Sequence, residues 1–328
     1  MDRVRETALT VRVTIDDVLA ARERIAPYVR RTPLIGADGL TARLGAPVSL
    51  KCEHLQVTGS FKPRGVVNAV MALPRAQLER GVITMSAGNT AIALAYAARA
   101  ARSPATVVMP EGTPAAKVQA VRDLAAEIVF HRDRVTLGDR LAAEREARRA
   151  TLIHPHEDPF VLAGHGTIGL ELVDDDPNLA LVVVAVGGGG LIAGIAAALA
   201  DRAPRARVVG VETRGAPTMR VALDAGAPKR LERIDTIADG LTAPIAGRVA
   251  FDIVRERVED VVLVDDEAVR DAMRFLAAEA KQVVEPAGAT AVAGLLSGAI
   301  RPRGGERVVA ILSGANVDLD RYASLLRE

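Results

Sequence analysis

The 328-residue sequence predicts an α/β fold with two parallel-sheet domains covered by helices. Short β-branched runs alternate with longer Ala-rich amphipathic stretches, a pattern typical of parallel strands joined by helical crossovers. Hydrophobic residues make up 49% of the chain and aromatic residues only 2%, so the core is expected to be aliphatic. The length suits about two domains. Because no Pro- or Ser-rich linker separates them, we expect one domain to be inserted into the other.

The β-branched runs predict nine short strands. They lie at residues 48–51, 82–85, 105–109, 127–130, 151–153, 181–186, 207–211, 261–264 and 307–312. Seven helices are predicted at residues 15–29, 90–101, 114–125, 137–149, 191–200, 267–280 and 287–296. Thr14 is the expected N-cap of the first helix and Asp265 or Asp266 that of the sixth, because a short polar side chain can accept a hydrogen bond from first-turn N–H groups.

Charge and cysteine content exclude several classes of protein. The 42 Lys and Arg residues nearly cancel the 41 Asp and Glu residues, and a net charge of +1 with so few aromatic side chains argues against nucleic-acid binding. The single cysteine, Cys52, excludes an internal disulfide and a cysteine-based metal cluster, so we expect a reducing, cytoplasmic compartment. Charges interrupt the N-terminal segment early, so no signal peptide is expected.

Residues 179–200 form an uncharged stretch long enough to cross a bilayer. The stretch contains a β-branched run, LVVVAV, followed by four consecutive glycines, each of which would cost about 1 kcal/mol inside a helix. We therefore predict a buried strand, a turn and a helix here, with no membrane association.

The four glycines form the first of three turns that could bind a ligand, because ligands gather at the carboxyl ends of parallel strands. This glycine turn consists of Gly187, Gly188, Gly189 and Gly190. Its N–H groups can converge beside the positive end of the next helix and bind a phosphate, although a purely structural turn is the alternative. The spacing Gly188-x-Gly190-x-x-Ala193, with Glu212 downstream, also fits a dinucleotide site and hence a nicotinamide-dependent oxidoreductase.

The second turn follows strand 82–85, and its small residues leave N–H groups exposed at a helix start. They are Ser86, Ala87, Gly88, Asn89 and Thr90. Such a turn suits a carboxylate or a phosphate. Taken alone, Asn89 is better explained as the N-cap of the following helix. The third turn contains Ser313, which by itself would be an ordinary turn residue.

Lys62 is the strongest candidate for covalent chemistry. The chain has only five lysines against 37 arginines, so it uses Arg wherever any cation suffices. Lys62 is predicted near a helix start, where an anion is normally favoured. An amine at this position indicates a group that can lose its proton and form a Schiff base, the alternative being a solvent-exposed lysine.

Five motifs then indicate a family. They are GSFKPRG, SAGNTAIALAYAA, VVVAVGGGGLIAGI, VEPAGATAVAGLL and AILSGANVD, and they occur in this order over almost the whole chain. Together they resemble the fold-type II pyridoxal-phosphate enzymes, whose fold is tryptophan-synthase-β-like. Within these enzymes the sequence is most similar to the threonine/serine dehydratase family, with serine racemase as a near relative.

The resemblance implies pyridoxal 5′-phosphate as cofactor, joined to Lys62 as a Schiff base. It implies cofactor contacts by Phe61, Lys62, Asn89, Gly187, Gly188, Gly189, Gly190, Leu191, Gly240, Glu285 and Ser313. It also implies that the substrate carboxylate is held by Ser86, Ala87, Gly88, Asn89 and Thr90, and that Lys62 and Ser86 are catalytic. The implied domains are a large cofactor domain, 1–53 and 155–328, and a small inserted domain, 54–154.

The implied reaction converts a small β-hydroxy amino acid, threonine or serine, to a 2-oxo acid and ammonia. The Lys62 amine would remove the α-proton, and the β-hydroxyl would then leave. Ser313, a neutral hydroxyl, would not keep the pyridine nitrogen protonated, which favours elimination.

Several positions depart from the family pattern. Thr90 and His165 replace a His and a Gln, and both are expected near the substrate, so another 3-hydroxy amino acid such as 3-hydroxyaspartate or phenylserine is an alternative. Ala87 stands where serine racemase carries its second base, which makes racemisation the weaker alternative. Glu212 matches one metal ligand of the family's racemases, but Thr218 replaces its acidic partner, so no metal is implied.

The expected partners follow from the same resemblance. We expect a small amino-acid substrate, no nucleic acid and no membrane, and a homodimer. The chain ends twelve residues after Asn316, so no C-terminal regulatory domain is expected.

Overall fold

The computed structural model describes residues 12–133 and 136–328, which form two sheets covered by helices. The described strands are β1 (Leu34–Gly36), β2 (Val48–Lys51), β3 (Val82–Met85), β4 (Ala105–Pro110), β5 (Glu127–His131), β6 (Thr151–Leu152), β7 (Leu181–Ala185), β8 (Arg207–Thr213), β9 (Asp260–Val264) and β10 (Val308–Ile311). The described helices are α1 (Ile15–Ile25), α2 (Asp38–Leu44), α3 (Lys62–Met71), α4 (Arg75–Arg80), α5 (Asn89–Ala101), α6 (Ala115–Asp123), α7 (Leu137–Arg148), α8 (Pro159–Asp175), α9 (Gly190–Arg202), α10 (Thr218–Ala225), α11 (Arg248–Arg257), α12 (Asp266–Ala278), α13 (Pro286–Leu296) and α14 (Leu319–Arg327).

The two sheets confirm the predicted α/β class. The larger has the order β1-β2-β10-β7-β8-β9, and the smaller has the order β5-β4-β3-β6. All neighbouring strands are parallel except β1, which pairs antiparallel with β2 at the edge. The smaller sheet is built from strands within the predicted small domain, 54–154, whose borders stay a prediction.

All nine predicted strands are present, with bounds that shift by one or two residues at most. The three-residue strand β1 was not predicted because it is too short to show an alternating pattern. The first helix ends at Ile25 rather than at residue 29, because Pro27 has no N–H to continue the helical hydrogen bonds. Thr14 caps this helix, with its hydroxyl accepting from the Asp17 N–H at 3.2 Å, and Asp265 caps α12.

Helix α8 was not predicted, and it positions the site. It is buried over most of its length, so its sequence shows no polar face. A Cβ at Gly164 would lie 2.2 Å from the Arg64 carbonyl on α3, and a Cβ at Gly194 on α9 would lie 2.3 Å from the Leu162 carbonyl on α8. Glycines therefore let α3, α8 and α9 pack backbone to backbone. This stack fixes the start of α3, at Lys62, relative to the start of α9, at the glycine turn.

A buried ion cluster fastens α3 to the larger sheet. The Arg64 guanidinium, 1% exposed, donates to the carboxylates of Glu53 and Glu171 at 2.7–2.9 Å. Lys51 at the end of β2, also fully buried, donates to Glu171 at 2.6 Å. Because each charge has a partner of opposite sign, the cluster is tolerated in the interior, and loss of one partner would be costly.

The core between these elements is aliphatic, as predicted. Every residue of β7 and of β10 is buried, and the side chains of both strands pack against aliphatic side chains on the covering helices. Within the described ranges, no helix has both the length and the hydropathy to cross a membrane. The uncharged stretch 179–200 instead forms β7, the glycine turn and most of α9.

Candidate active site

A cavity of about 400 Å³ opens where the carboxyl ends of strands from both sheets meet. The structure brings to its wall every residue predicted to contact the cofactor or the substrate carboxylate. These are Phe61, Lys62, Ser86, Ala87, Gly88, Asn89, Thr90, Gly187, Gly188, Gly189, Gly190, Leu191, Gly240, Glu285 and Ser313. The roles assigned to them stay predictions, but their convergence from distant parts of the chain is a structural fact.

The glycine turn joins β7 to α9 and leaves no room for side chains. A Cβ at Gly188 would lie 2.5 Å from the His156 ring, and one at Gly190 would lie 2.8 Å from the Pro155 carbonyl oxygen. Gly189 has a φ of +92°, a left-handed conformation that side chains rarely adopt. Its backbone therefore lies bare against the cavity at the N-terminus of α9, where N–H groups lack helical partners.

Lys62 is the first residue of α3 and lies, partly buried, at the cavity wall. Burial lowers the pKa of its amine to about 8, and the carboxyl of Glu285 acts weakly in the opposite direction. Its Nζ lies 4.8 Å from the centroid of the Phe61 ring. An amine in this environment is neutral in a much larger fraction at neutral pH than an exposed lysine.

The turn 86–90 is held by polar contacts. The Ser86 hydroxyl oxygen accepts from the Gly88 N–H at 3.1 Å. The Asn89 side chain donates to Glu285 Oε1 at 2.7 Å and accepts from Asn316 at 2.8 Å. The interpretation of Asn89 as an N-cap is therefore wrong, since Gly88 precedes the helix and the Asn89 amide reaches across to the larger sheet's side of the cavity.

Glu285 and Ser313 close the opposite wall. Burial raises the pKa of the Glu285 carboxyl to about 7, against the hydrogen bond from Asn89 and the charge of Lys117. The Ser313 hydroxyl donates to the Ala287 carbonyl at 3.3 Å. Both side chains are buried and lie at the cavity, so they can contact a ring bound between the two turns.

Two predictions about individual residues are corrected. Thr90 lines the cavity, but His165 does not, because it lies on α8 behind Phe61 with no exposed surface. Its Nδ1–H donates to the Gly190 carbonyl at 3.2 Å, so it supports the glycine turn from behind. The Glu212 carboxylate accepts the N–H groups of residues 219 and 220 at the start of α10, at 2.7 and 2.9 Å, and so is not free to bind a ribose.

Four titratable residues at the cavity were missed from the sequence. His154 and His156 line the wall with their ring centroids 4.6 Å apart. Lys117 on α6 forms an ion pair with Asp239 at 3.0 Å across the cavity. The scarcity of lysine could have drawn attention to Lys117, but nothing in the sequence placed the other three at the cavity.

A turn of bare glycine backbone and a desolvated lysine at one cavity are features of a cofactor-dependent enzyme. The model of the family described as "Pyridoxal-phosphate dependent enzyme" matches residues 25–314, so the chain belongs to this family. The chain is 42% identical to the L-threonine ammonia-lyase of Geobacter sulfurreducens over 91% of this chain and 74% of that protein. It is 40% identical to an L-threo-3-hydroxyaspartate ammonia-lyase of Pseudomonas sp., over 95% and 98% of the two chains.

Solved structures agree with this assignment. The structure of maize serine racemase superposes with a TM-score of 0.92 at 35% identity, covering 97% of this chain and 98% of that one. The site also fits the cofactor on its own geometry. A side chain at Gly188 or Gly190 would collide with His156 or Pro155, so bare backbone borders the cavity there, and Lys62 presents a desolvated amine to the same cavity. The nicotinamide-dependent alternative has no comparable support, because it leaves Lys62 and Ser313 without a role.

Proposed function

We propose that the chain is an ammonia-lyase that converts threonine or serine to a 2-oxo acid and ammonia. The observation that carries the proposal is the position of Lys62, a partly buried amine with a lowered pKa that shares one cavity with the glycine turn and the turn 86–90. Relatives named L-threonine ammonia-lyase, 38–42% identical over more than nine-tenths of this chain, support the same reaction.

The cofactor is assigned to the space between the two turns. The glycine turn and Leu191 would hold its phosphate, while Phe61, Asn89, Gly240, Glu285 and Ser313 would border its ring. Bound pyridoxal phosphate would withdraw electrons from the substrate and so acidify the proton on its α-carbon. Because the Ser313 hydroxyl is neutral, it would leave the ring nitrogen unprotonated, which favours loss of a β-hydroxyl.

Lys62 is the proposed base. Since burial lowers the pKa of its amine, Nζ can accept the α-proton near neutral pH. Its position at the start of α3, fixed by the α3–α8–α9 stack, keeps Nζ at the cavity wall. The Phe61 ring and the apolar wall behind it limit water around the amine, which strengthens its interaction with a charged substrate.

The turn 86–90 is assigned to the substrate carboxylate. Its N–H groups lie at the start of α5, where an anion is favoured. The Ser86 oxygen accepts from the Gly88 N–H, which leaves the hydroxyl hydrogen free for the substrate. Ser86 is therefore both a carboxylate ligand and the candidate catalytic hydroxyl.

The charges of the cavity favour a neutral side chain on the substrate. Lys62 and Lys117 are the cations among the described lining residues, and Lys117 is already paired with Asp239. A second carboxylate, as in 3-hydroxyaspartate, would find no free cation there and would approach Asp239. Ala87 offers no second base on this wall, so elimination is proposed rather than racemisation.

Turnover of candidate substrates by the purified holoenzyme tests the proposal. We expect ammonia and a 2-oxo acid from threonine or serine, with 3-hydroxyaspartate and phenylserine slower. Lys62→Ala is expected to lose both this activity and a visible absorption band that borohydride abolishes in the native enzyme. Asp239→Asn tests the substrate choice. It is expected to raise the rate with 3-hydroxyaspartate relative to the rate with threonine, because the negative charge that opposes a second carboxylate is removed. If the holoenzyme released no ammonia from either threonine or serine, the proposed function would be disproved.

We also propose that the enzyme is a cytoplasmic homodimer. Leu55 and Val283 are about half exposed, and the hydrogen bond between His54 and Gln282 brings their segments together into one apolar face. Such a face suits a second copy of the chain. Sedimentation at micromolar concentration tests this, and Leu55→Glu should shift the protein toward monomer.

A further inference from the structure

One part of the cavity wall is apolar and has no role in the reaction proposed above. It is formed by Met85 at the end of β3, Leu141 on α7 and Leu152 on β6, which together are called the apolar arm. Met85 is 37% exposed, which is unusual for a large apolar side chain in the middle of a domain. Apolar surface that is exposed at a cavity is typical of a ligand-binding site.

The apolar arm is the open end of the core of the smaller sheet. Side chains alternate along a strand, so Met85 lies on the same face of β3 as Ile83. Ile83 belongs to a buried cluster against which Leu141 and Leu152 pack with part of their surface still exposed. The two leucines are therefore held in place by the core behind them. Met85, at the strand end, is the member of the arm with the most freedom to move.

The apolar arm adjoins the proposed carboxylate site. Met85 directly precedes the turn 86–90, and the Ser86 N–H donates to the Val108 carbonyl at 3.1 Å, so the pairing of β3 with β4 continues up to the turn. A substrate whose carboxylate lies on this turn and whose α-carbon faces Lys62 has its side chain within the same cavity. There the wall offers the ion pair of Lys117 with Asp239 or the apolar arm.

These two surfaces favour different substituents. An alkyl group gains free energy when it leaves water for contact with an apolar wall, and it gains nothing beside an ion pair. The unbranched thioether side chain of Met85 can move aside for a flexible chain. A rigid ring is wider and would need the volume that Met85 itself fills.

We propose that the apolar arm is a subsite for the substituent on the β-carbon of the substrate. It accepts unbranched alkyl groups, from the methyl group of threonine to ethyl and propyl groups, and Met85 limits the entry of an aromatic ring. The inference rests on the proposed function, because it takes the turn 86–90 as the carboxylate site, and it extends the substrate class to longer 3-hydroxy amino acids.

L-Alanine, L-2-aminobutyrate, L-norvaline and L-norleucine are the probes, because they have no β-hydroxyl group to lose. Along this series the β-carbon carries hydrogen, methyl, ethyl and propyl in turn. Binding to the purified holoenzyme is followed through the change in its visible absorption band. We expect Kd to fall roughly fourfold with each added methylene group, since each one is transferred from water to the apolar arm.

Turnover should follow the same order. We expect kcat/KM to rise from serine to threonine and again to 2-amino-3-hydroxypentanoate, which carries an ethyl group, and to be lower for phenylserine. Met85→Ala removes the side chain that limits a ring. It should raise kcat/KM for phenylserine, relative to that for threonine, roughly tenfold.

Leu141→Asn replaces the apolar end of the side chain by an amide of similar size. The gain in affinity from alanine to norleucine should shrink roughly tenfold in this variant. Leu137→Asn is the matched control. Leu137 lies one turn earlier on α7 and packs against the same cluster, but it is not part of the cavity wall. The control should keep the dependence on chain length of the native protein.

Other outcomes overturn the inference. A Kd that stays constant or rises from alanine to norleucine would show that the arm does not receive the side chain. An equally weak dependence on chain length in Leu137→Asn and Leu141→Asn would trace the effect to packing of the smaller sheet. An unchanged ratio of phenylserine to threonine turnover in Met85→Ala would remove Met85 from the selection.

The inference and the proposed function fail in different ways. If threonine and serine gave no ammonia while Kd still fell along the series of probes, the proposed reaction would be wrong and the apolar subsite would stand. If threonine turned over while Kd showed no dependence on chain length, the reaction would stand and the subsite would be disproved.

Discussion

The two turns to which we assign ligands, 187–190 and 86–90, occupy similar positions in the fold but are held in place in different ways. Each follows a parallel strand and opens a helix. The glycine turn is closely packed on all sides, so that a Cβ at any of its four positions would lie within 3.0 Å of another atom. The turn 86–90 is held by side-chain hydrogen bonds, and a Cβ at Gly88 would meet only Lys117 Nζ, at 4.0 Å.

This difference matches the two ligands that we assign to the turns. A phosphate that stays bound benefits from a cradle that does not move, because no ordering is needed at binding. A substrate that enters and leaves in each cycle benefits from a turn whose polar contacts can rearrange. The asymmetry of packing therefore supports the cofactor at 187–190 and the substrate carboxylate at 86–90.

The largest expected effect on stability comes from Arg64→Leu, which removes the centre of the buried ion cluster that joins α3 to the larger sheet. The change leaves the buried carboxylates of Glu53 and Glu171 without their main partner, and we expect it to cost about 3–5 kcal/mol of unfolding free energy. Urea unfolding measures this. Arg75→Leu, which removes an exposed pair with Glu79, is the matched control and should change stability by less than about 0.5 kcal/mol. Equal losses in both variants would contradict a special role for the buried cluster.

Gly190→Ala should have the next largest effect. Its Cβ would meet the Pro155 carbonyl oxygen, which cannot move without shifting the loop that carries His154 and His156. We therefore expect about 1–3 kcal/mol of destabilisation. Affinity for pyridoxal phosphate should fall roughly tenfold or more, because the cradle changes shape. Fluorescence titration of the apoenzyme measures the affinity. Unchanged affinity would mean that the turn is more adaptable than its packing indicates.

Asn89→Ala removes the hydrogen bonds that join the turn 86–90 to Glu285 and Asn316. Loss of its hydrogen bonds to Glu285 and Asn316 should cost about 1–2 kcal/mol. Since the Asn89 amide favours the charged carboxylate, the pKa of Glu285 should rise further above about 7, and the protonated form should persist to higher pH. Infrared spectra of the carboxyl group across pH 6–9 follow this change. A shift to lower pH would contradict the assigned direction of the hydrogen bond.

Gly88→Ala should have the smallest effect on the fold. No heavy atom lies closer than 4.0 Å to the added methyl group, so we expect stability to change by less than about 0.5 kcal/mol and cofactor affinity to stay the same. The KM for the amino acid should rise a few-fold, because the methyl group borders the proposed carboxylate site. A loss of cofactor affinity as large as in Gly190→Ala would remove the contrast between the two turns.

Much of the fold could be predicted because its determinants are local. The β-branched runs locate nine strands, and the short polar caps at Thr14 and Asp265 locate two helix starts. Helix α8 could not be predicted, because a helix buried on most sides loses the polar face that would reveal it. Strand β1 could not be predicted either, because its pairing with β2 depends on a neighbouring strand rather than on its own three residues.

The candidate site divides in the same way. The sequence by itself identified the candidate residues that stand in a recognisable local motif. These are the rare Lys62, the four glycines, and the small-residue turn that contains Asn89. The tertiary structure alone decided that His156 and Lys117 reach the cavity, that His165 lies behind it, and that Asn89 joins the two walls instead of capping a helix. The physical reason is that a motif fixes backbone conformation over a few residues, whereas the neighbours of a side chain are set by packing between elements far apart in the chain.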